Sequence, residues 1–422
     1  MYWHQINMYV TKTGIYRLFF LFMMLFFMLI GGCKYPDVTN YASLYRIRNA
    51  GSPGISLRLF HANDTLSFLH YRVNSGNLSQ IQFGSRNDTA RFIRVEFILY
   101  ADQLIPPAID SIQVNCDFNR DSVVTGYFPL KNLENGEYEI RIRQLNLKGE
   151  YTATDHYRFS KKSIPCPDDF LLLDGSGQII FERHVSEGVD FYVVAGSAHQ
   201  IEGRFILLKP SKQFPDPPFI HSPDSPTTFE IINLPEEGSK DTTFVNTGRD
   251  QLLCFMPDHE KYCIPVTFIR EKGFPYETSI AGKLGAMRYL LTDSEYAFLT
   301  QPGSDEKNIH EFWLMAGGNA ARAMTLMHQY FERISSANQW FTTFKNGWST
   351  DRGMIYCVLG TPGRVYRSKA VETWVYIGID HGSDITFNFR NQEIFPGLFE
   401  WVLERDSRYS NFWMEKVTLL RR

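Results

Sequence analysis

From Asn319 to Phe344 the chain runs without a proline or a glycine. Within that stretch Met324, Met327, Phe331, Ile334, Asn338 and Phe341 recur at three- to four-residue spacing, which places them on one face of an α-helix. A face lasting under three heptads packs as a core element more often than as a coiled coil. The helix therefore needs something broad to lie against. Upstream, Thr292-Asp293-Ser294-Glu295 fits a capping box, with Thr292 as N-cap and Glu295 three residues on, and Ser304-Asp305 starts a second short helix through His310 to Met315. Downstream, Met354 to Leu359 reads as a strand and Gly360-Thr361-Pro362-Gly363 as a tight turn. The segments ETWVYIGI, DITFNFR and LFEWVLER follow as further strands. The expectation is a small antiparallel meander with the long helix lying across it.

The rest of the chain has strand character. Between residues 55 and 162 short apolar-rich arms alternate with turn formers. Tyr138, Ile140 and Ile142 point one way while Glu139, Arg141 and Arg143 point the other, the period-2 signature of a half-buried antiparallel strand. Regularly spaced short strands suggest a β-sandwich. The phrase Glu134 to Asn146 resembles the late hairpin of immunoglobulin-like modules, a likeness of fold only. Ser160 to Pro167 is a linker, and residues 163–274 form a second β-rich block. Its segment Pro210 to Pro226 is too dense in proline to sit inside a sheet and is expected as an exposed loop. The fold class expected is multidomain and mainly β: two β-sandwich modules, immunoglobulin-like, followed by an α+β domain over 275–422.

Residues 1–33 stand apart from the fold. Lys12 and Arg17 precede the apolar run Leu18 to Ile30, then Gly31-Gly32-Cys33, the layout of a secretory signal. The run is shorter than the roughly 20 residues that cross a bilayer as a helix. Ile30 to Cys33 resembles the lipobox of bacterial lipoproteins, which implies cleavage before Cys33 and a lipid on its sulfur. Residues 34–54 then act as a tether, and Lys34-Tyr35-Pro36-Asp37 is not the acidic run of surface-exported lipoproteins. The expected location is the outer membrane, lipid-anchored, on the periplasmic face. In that oxidising setting disulfides are permitted. Cys254 and Cys263 flank a turn and are the candidate pair. Cys116 with Cys166 is a looser one, which leaves Cys357 free in a buried strand. The net charge of −3, from 43 basic and 46 acidic residues, gives no basic field for nucleic acid. Aromatic residues make up 15% of the chain, which suits pleated sheets.

Gly347-Trp348-Ser349-Thr350-Asp351 resembles the signature of the GWxTD domain family, known from Bacteroidota and related bacteria. Phe312-Trp313, Arg333, Ala337-Asn338 and Phe341 resemble the family pattern before the signature. Arg352-Gly353, Tyr356, Gly360-Thr361-Pro362, Trp374 and Tyr376 resemble the pattern after it. The likeness covers roughly residues 285–395. It departs at Ala316-Gly317-Gly318, where the family often carries Arg-Asp-Pro. The resemblance implies an envelope lipoprotein and brings no catalytic residues with it. The order of the strands after the signature is also distantly similar to outer-membrane assembly lipoproteins.

Whether the signature does chemistry is a separate question. Asp351 and Arg352 offer a charge pair, Thr350 a hydroxyl and Gly353 an approachable backbone, but nucleophilic catalysis needs a base within reach, and the nearest histidines in sequence are His328 and His381. A structural corner accounts for the residue types more simply: Gly347 at positive φ where the helix ends, Trp348 wedged between helix and sheet, and Thr350 and Asp351 bonding turn amides. His310-Glu311 lacks the second histidine of a metalloprotease motif, since Leu314 stands there. Cys254, His259 and Cys263 lack a fourth zinc ligand. No cofactor, metal or catalytic group is expected. The function expected is a non-catalytic scaffold or assembly lipoprotein that meets other envelope proteins. The alternative is a glycan- or peptidoglycan-binding module using Trp401, Trp413 or Tyr409 as stacking platforms.

Overall fold

The computed structural model describes residues 40, 42 and 54–422, apart from 75–91, 102–106, 118–121, 146–148, 150, 163, 197–201, 212–213, 221–226, 235–240, 245–249, 259, 302, 304–305 and 422. The signal, Cys33, nearly all of the tether, His259 and Ser304-Asp305 lie outside the described residues. The elements below belong to one unit, Ala42–Arg422.

The first block is built from β1 (Ile55–His61), β2 (Leu66–Asn74), β3 (Phe92–Ala101), β4 (Ala108–Asp117), β5 (Val123–Lys131), β6 (Gly136–Leu145) and β7 (Tyr151–Lys161). They form two antiparallel sheets, β1-β2-β5 and β4-β3-β6-β7. Leu59 and Leu69 from one sheet meet Val95, Phe97 and Ile140 from the other in a shared core. On the outward face of β6, Glu139 is nevertheless buried. Arg141, His156 and Arg158 close over it. Burial works to raise its pKa, but hydrogen bonds from those three side chains outweigh it and hold the carboxyl at about 2.

The second block comprises β8 (Phe170–Asp174), β9 (His184–Ser186), β10 (Phe191–Ala195), β11 (Gly203–Pro210), β12 (Phe229–Asn233), β13 (Asp241–Phe244), β14 (Gln251–Pro257) and β15 (Ile264–Arg270). Its sheets are β13-β10-β8 and β12-β11-β14-β15-β9, with β9 running parallel to β15. Cys254 of β14 and Cys263, just before β15, are free and buried. Burial and then a hydrogen bond with Cys263 raise the Cys254 pKa. Cys116 and Cys166 are free as well.

The C-terminal region is α+β. Its helices are α1 (Ile280–Ala286), α2 (Asp293–Leu299), α3 (Glu306–Gly317), α4 (Ala320–Phe341), α5 (Asp351–Leu359) and α6 (Ser410–Leu420). Its sheet is the antiparallel meander β16 (Arg364–Arg367), β17 (Val371–Asp380), β18 (Ser383–Phe395) and β19 (Leu398–Leu403). The capping box at Thr292 forms as the sequence suggested.

Two expectations need correction here. Met354 to Leu359 is not a strand but the body of α5, so Cys357 sits in a helix. Thr350 caps that helix, and its last N–H bond is closed at Gly360, whose φ of 78° suits glycine. The buried face of α4 is also turned from the one expected in its first half. Ala323 and Tyr330 are buried where Met324 is exposed, before Ile334, Asn338 and Phe341 continue the seam. The seam faces α5 more than the sheet, because α5 stands between them. Phe341, at the end of α4, still reaches the sheet and packs on Trp374 with ring centroids 5.4 Å apart.

A further apolar cluster joins the second block to the C-terminal region. Ile206, Leu208, Leu252, Cys254 and Cys263 share one core with Phe344 and Leu398. Phe229 packs on both Phe344 and Phe395.

Candidate functional site

The corner after α4 is held by backbone contact before any side chain acts. A Cβ on Gly347 would lie 1.9 Å from the Ala337 carbonyl oxygen, and one on Gly353 would lie 1.8 Å from the Gly347 carbonyl oxygen. Both positions exclude a side chain because chain crosses chain there. Gly347 is not in the positive-φ region, so close approach, and not the helix-end conformation expected, is the reason for this glycine. Thr350 fastens the crossing. Its Oγ1 donates to the Gly347 carbonyl at 2.7 Å and accepts from the Gly353 N–H at 3.0 Å.

Trp348 is 5% exposed. It does not sit between helix and sheet, as its sequence position suggested. Its ring stacks on Phe214, with centroids 5.5 Å apart, and meets Tyr289 edge-on. A Cβ on Gly285 of α1 would lie 3.1 Å from it. The helix-to-sheet plug is Trp374, fully buried against Phe341 and Phe389.

Phe214 belongs to the proline-dense segment expected as a free surface loop. Within it, residues 214–220 form a loop with Phe214 and Ile220 exposed, but this loop is tethered to the C-terminal region. The Pro218 carbonyl accepts from the Asp406 N–H at 3.0 Å, and the Asp216 carbonyl accepts from Arg405 Nη2 at 3.1 Å.

Two buried carboxylates organise the corner. Glu277 Oε1 accepts from Trp348 Nε1 at 2.7 Å, Asn338 Nδ2 at 3.0 Å and Asn346 Nδ2 at 3.3 Å. Burial raises its pKa, against the hydrogen bonds of Asn338 and Trp348 that lower it. Glu372 accepts from Trp374 Nε1 at 2.7 Å and pairs with Arg352 at 3.5 Å and with Arg367. The Arg352 guanidinium also lies 5.2 Å from the Phe341 ring centre and 5.6 Å from that of Trp401. Asp351 binds neither Arg352 nor a turn amide of its own loop. It accepts from the Leu403 N–H at 2.7 Å and from Arg405 Nη2 at 2.6 Å, which ties α5 to the end of β19.

The remaining signature-associated residues close the far side. Tyr356 is buried, with its hydroxyl 3.5 Å from Thr361 Oγ1. Tyr376 donates its hydroxyl proton to the Gly360 carbonyl at 2.8 Å, and Pro362 is buried. Arg333 donates to the Val358 carbonyl at 2.9 Å, covering the end of α5. Gly347, Trp348, Thr350, Asp351, Arg352, Gly353, Tyr356, Gly360, Pro362, Trp374 and Tyr376 are thus brought into one continuous interior. Glu277 and Glu372 complete it from within, while the exposed Phe214 and the half-buried Arg405 border it. The sequence carried no signal for these four: Phe214, Glu277 and Arg405 lie far along the chain from the signature, and Glu372 is a single charged residue at the start of a strand.

The aromatic platforms considered for a glycan are placed differently. Tyr409 and Trp413 are each 3% exposed. Tyr409 stacks on Phe387 and donates to the Thr386 carbonyl at 2.6 Å. Trp401 is half-buried beside Arg352. Among the exposed large apolar residues are Leu314 and Met315 on α3 and Met324 on α4. No helix among the described residues is long and apolar enough to cross a membrane.

Comparison with known proteins adds a domain. Residues 252–422 match the family model of the GWxTD domain, a wider span than the signature and its neighbours suggested. No curated protein matches. Solved structures with some similarity include a putative beta-galactosidase from Bacteroides fragilis, at 11% identity and a TM-score of 0.21, over 33% of this chain and 20% of that one. The BSP domain of a biofilm associated protein aligns at 13% identity and a TM-score of 0.22, over 54% of this chain and 32% of that one. The chain therefore spans under a third of either structure's length.

Proposed function

We propose that this chain, which carries a GWxTD domain at residues 252–422, is a lipid-anchored bacterial envelope protein of the Bacteroidota type that works by holding other envelope proteins rather than by catalysis. Cys33, after its apolar run, is the anchor, and the periplasmic face of the outer membrane is the location that fits. The two β blocks are read as immunoglobulin-like sandwiches that space the C-terminal region from the membrane.

One observation carries the reading. The chemistry-bearing side chains of the signature, Thr350, Asp351 and Arg352, are committed to internal hydrogen bonds and ion pairs, while apolar Leu314, Met315 and Met324 face outward from the joined helices α3 and α4. Contiguous exposed apolar surface marks a site for a protein partner, and these three residues are proposed to supply it. Burial of Tyr409 and Trp413 counts against the glycan alternative.

The test is affinity purification from membranes, with mass spectrometry, of the wild-type chain and of a Leu314→Ser, Met315→Ser, Met324→Ser variant. A stoichiometric partner set that is lost in the variant, at unchanged thermal stability, supports the proposal. Recovery of the wild-type chain alone overturns it. Cys33→Ala should move the protein out of the membrane fraction.

A further inference from the structure

Where the first block meets the second, a histidine, a thiol and a carboxylate come together. β1 ends at His61, a buried imidazole whose Nδ1 lies 2.7 Å from Ser67 Oγ across the hairpin. Cys166 caps a 3-10 turn, Pro167–Asp169, of which Asp168 is the middle residue. Pro165 and Pro167 restrict the backbone on both sides of Cys166, and its N–H donates to Asp169 Oδ2 at 2.7 Å. The two blocks approach closely at this point. The Gly196 N–H donates to the Asp169 carbonyl at 2.8 Å, and a Cβ on Gly196 would lie 2.0 Å from the His61 carbonyl oxygen. The potential ligand atoms of His61, Cys166 and Asp168 all lie within 4.8 Å of one another.

We propose that His61, Cys166 and Asp168 form a binding site for one divalent transition metal ion, with zinc as the best fit, which clamps the first β block to the second. Nitrogen, thiolate and carboxylate are zinc's three usual protein donors, and a site with three of them keeps a fourth position for water. Tetrahedral zinc bonds imply donor separations of about 3.3–3.8 Å. Donors at the 4.8 Å limit would close by about 1.0–1.5 Å, and nearer ones by less, a movement open to the half-buried side chains of Cys166 and Asp168. Ser67 engages Nδ1, so Nε2 is the nitrogen assigned to the metal. An imidazole fixed through its other nitrogen is the arrangement that metal sites favour.

Thiolate and carboxylate together match the charge of the dication. Binding exchanges the thiol proton of Cys166 for the metal and releases it to solvent. Cations lie nearby: Arg58 donates to the Phe170 carbonyl at 3.2 Å, and Lys161 donates to the Asp64 carbonyl at 3.0 Å. Burial raises the Asp168 pKa against the attraction of Arg58 and Arg183, so a purely ionic role for Asp168 with those arginines is the rival that a test must separate.

The full chain, stripped with a chelator, is titrated with zinc and in parallel with cobalt(II). The wild type should take up one zinc ion per chain and melt at a higher temperature with it. It should also show a thiolate-to-cobalt charge-transfer band in the near ultraviolet. Cys166→Ser, a conservative change at a half-buried position, should abolish the band and weaken zinc binding by more than about 100-fold, and Ser67→Ala should weaken it by about 10-fold. Absence of stoichiometric uptake by the wild type overturns the proposal, as does a band that persists in Cys166→Ser. Asp168→Asn separates the rival: a zinc affinity equal to wild type, with the same loss of stability in the presence and absence of zinc, assigns Asp168 to its arginines and also overturns it.

Discussion

Glu277 shows how one buried acid can organise a corner. Three side-chain donors converge on its Oε1, so removing the acceptor takes it from two buried N–H donors, on Trp348 and Asn338, and from the half-buried Asn346. Glu277→Ala should cost about 3 kcal/mol or more, since each orphaned donor costs about 1–3 kcal/mol. Glu277→Gln keeps a carbonyl oxygen in place and should cost much less. Wild type and Glu277→Gln should also differ in pH dependence. Burial raises the native pKa of Glu277, so in the window above the ordinary carboxylate value the folded chain binds the proton more strongly than the unfolded one. Its contribution to stability is therefore full below about pH 4 and declines as pH rises towards the native pKa. Denaturant melts of wild type and Glu277→Gln at about pH 4 and pH 7 should show the gap shifting in favour of the variant at the higher pH. A gap that does not change with pH would count against this account.

Trp348 depends on the same acid for its N–H. Trp348→Ala should cost about 3–5 kcal/mol, and an unchanged melting temperature would contradict its place in the interior. Burial of this indole was legible from its type and position. Its partners were not, because Phe214 and Glu277 are brought to it by the tertiary fold.

At the scale of elements, the long helix was the most legible feature and α5 the least. An amphipathic helix announces itself because polar positions interrupt the apolar ones at a fixed period. In α5 every residue from Asp351 to Val358 is buried, so MIYCVL carries no period and matches a buried strand equally well. The terminal signals were present nonetheless: Thr350 as N-cap, Asp351 in the first turn and Gly360 beyond the end. Reading those ahead of the apolar run identifies the helix. The cap also supplies a test. Thr350→Ala should destabilise the chain by about 1 kcal/mol or somewhat more, measured by chemical denaturation, whereas Thr350→Ser retains both hydroxyl bonds and should recover most of the loss. Equal losses in the two variants would mean that the methyl group, and not the cap, matters there. The strands β17 to β19 were legible because the meander buries one face more than the other, as Trp374 and Tyr376 alternate with Thr373 and Val375 along β17.

At the scale of the molecule, a division at residue 275 separates strands from helices in the sequence but cuts through an apolar core. Phe344 and Leu398 bury themselves against Ile206, Leu208 and Leu252. The wholly buried Arg270 donates to the Thr343 carbonyl at 2.6 Å across the same join. The family match beginning at residue 252 takes in part of this core and leaves β11 out. A fragment of residues 165–422 should melt cooperatively, and one of residues 275–422 should not, as followed by circular dichroism and limited proteolysis. A sharp melt of the shorter fragment would show that the shared core is dispensable. Composition and hydropathy could not reveal this union, because the same apolar strand residues would serve a core of their own or a joint one.

The seating of the proline-dense segment has a practical outcome. By hydropathy, the stretch around Phe214 to Pro218 is where an experimenter would insert an epitope tag or trim the chain for crystals. Either edit would prise the lid off an indole more than a hundred positions away, and a sample that precipitated afterwards would be blamed on the wrong end of the protein.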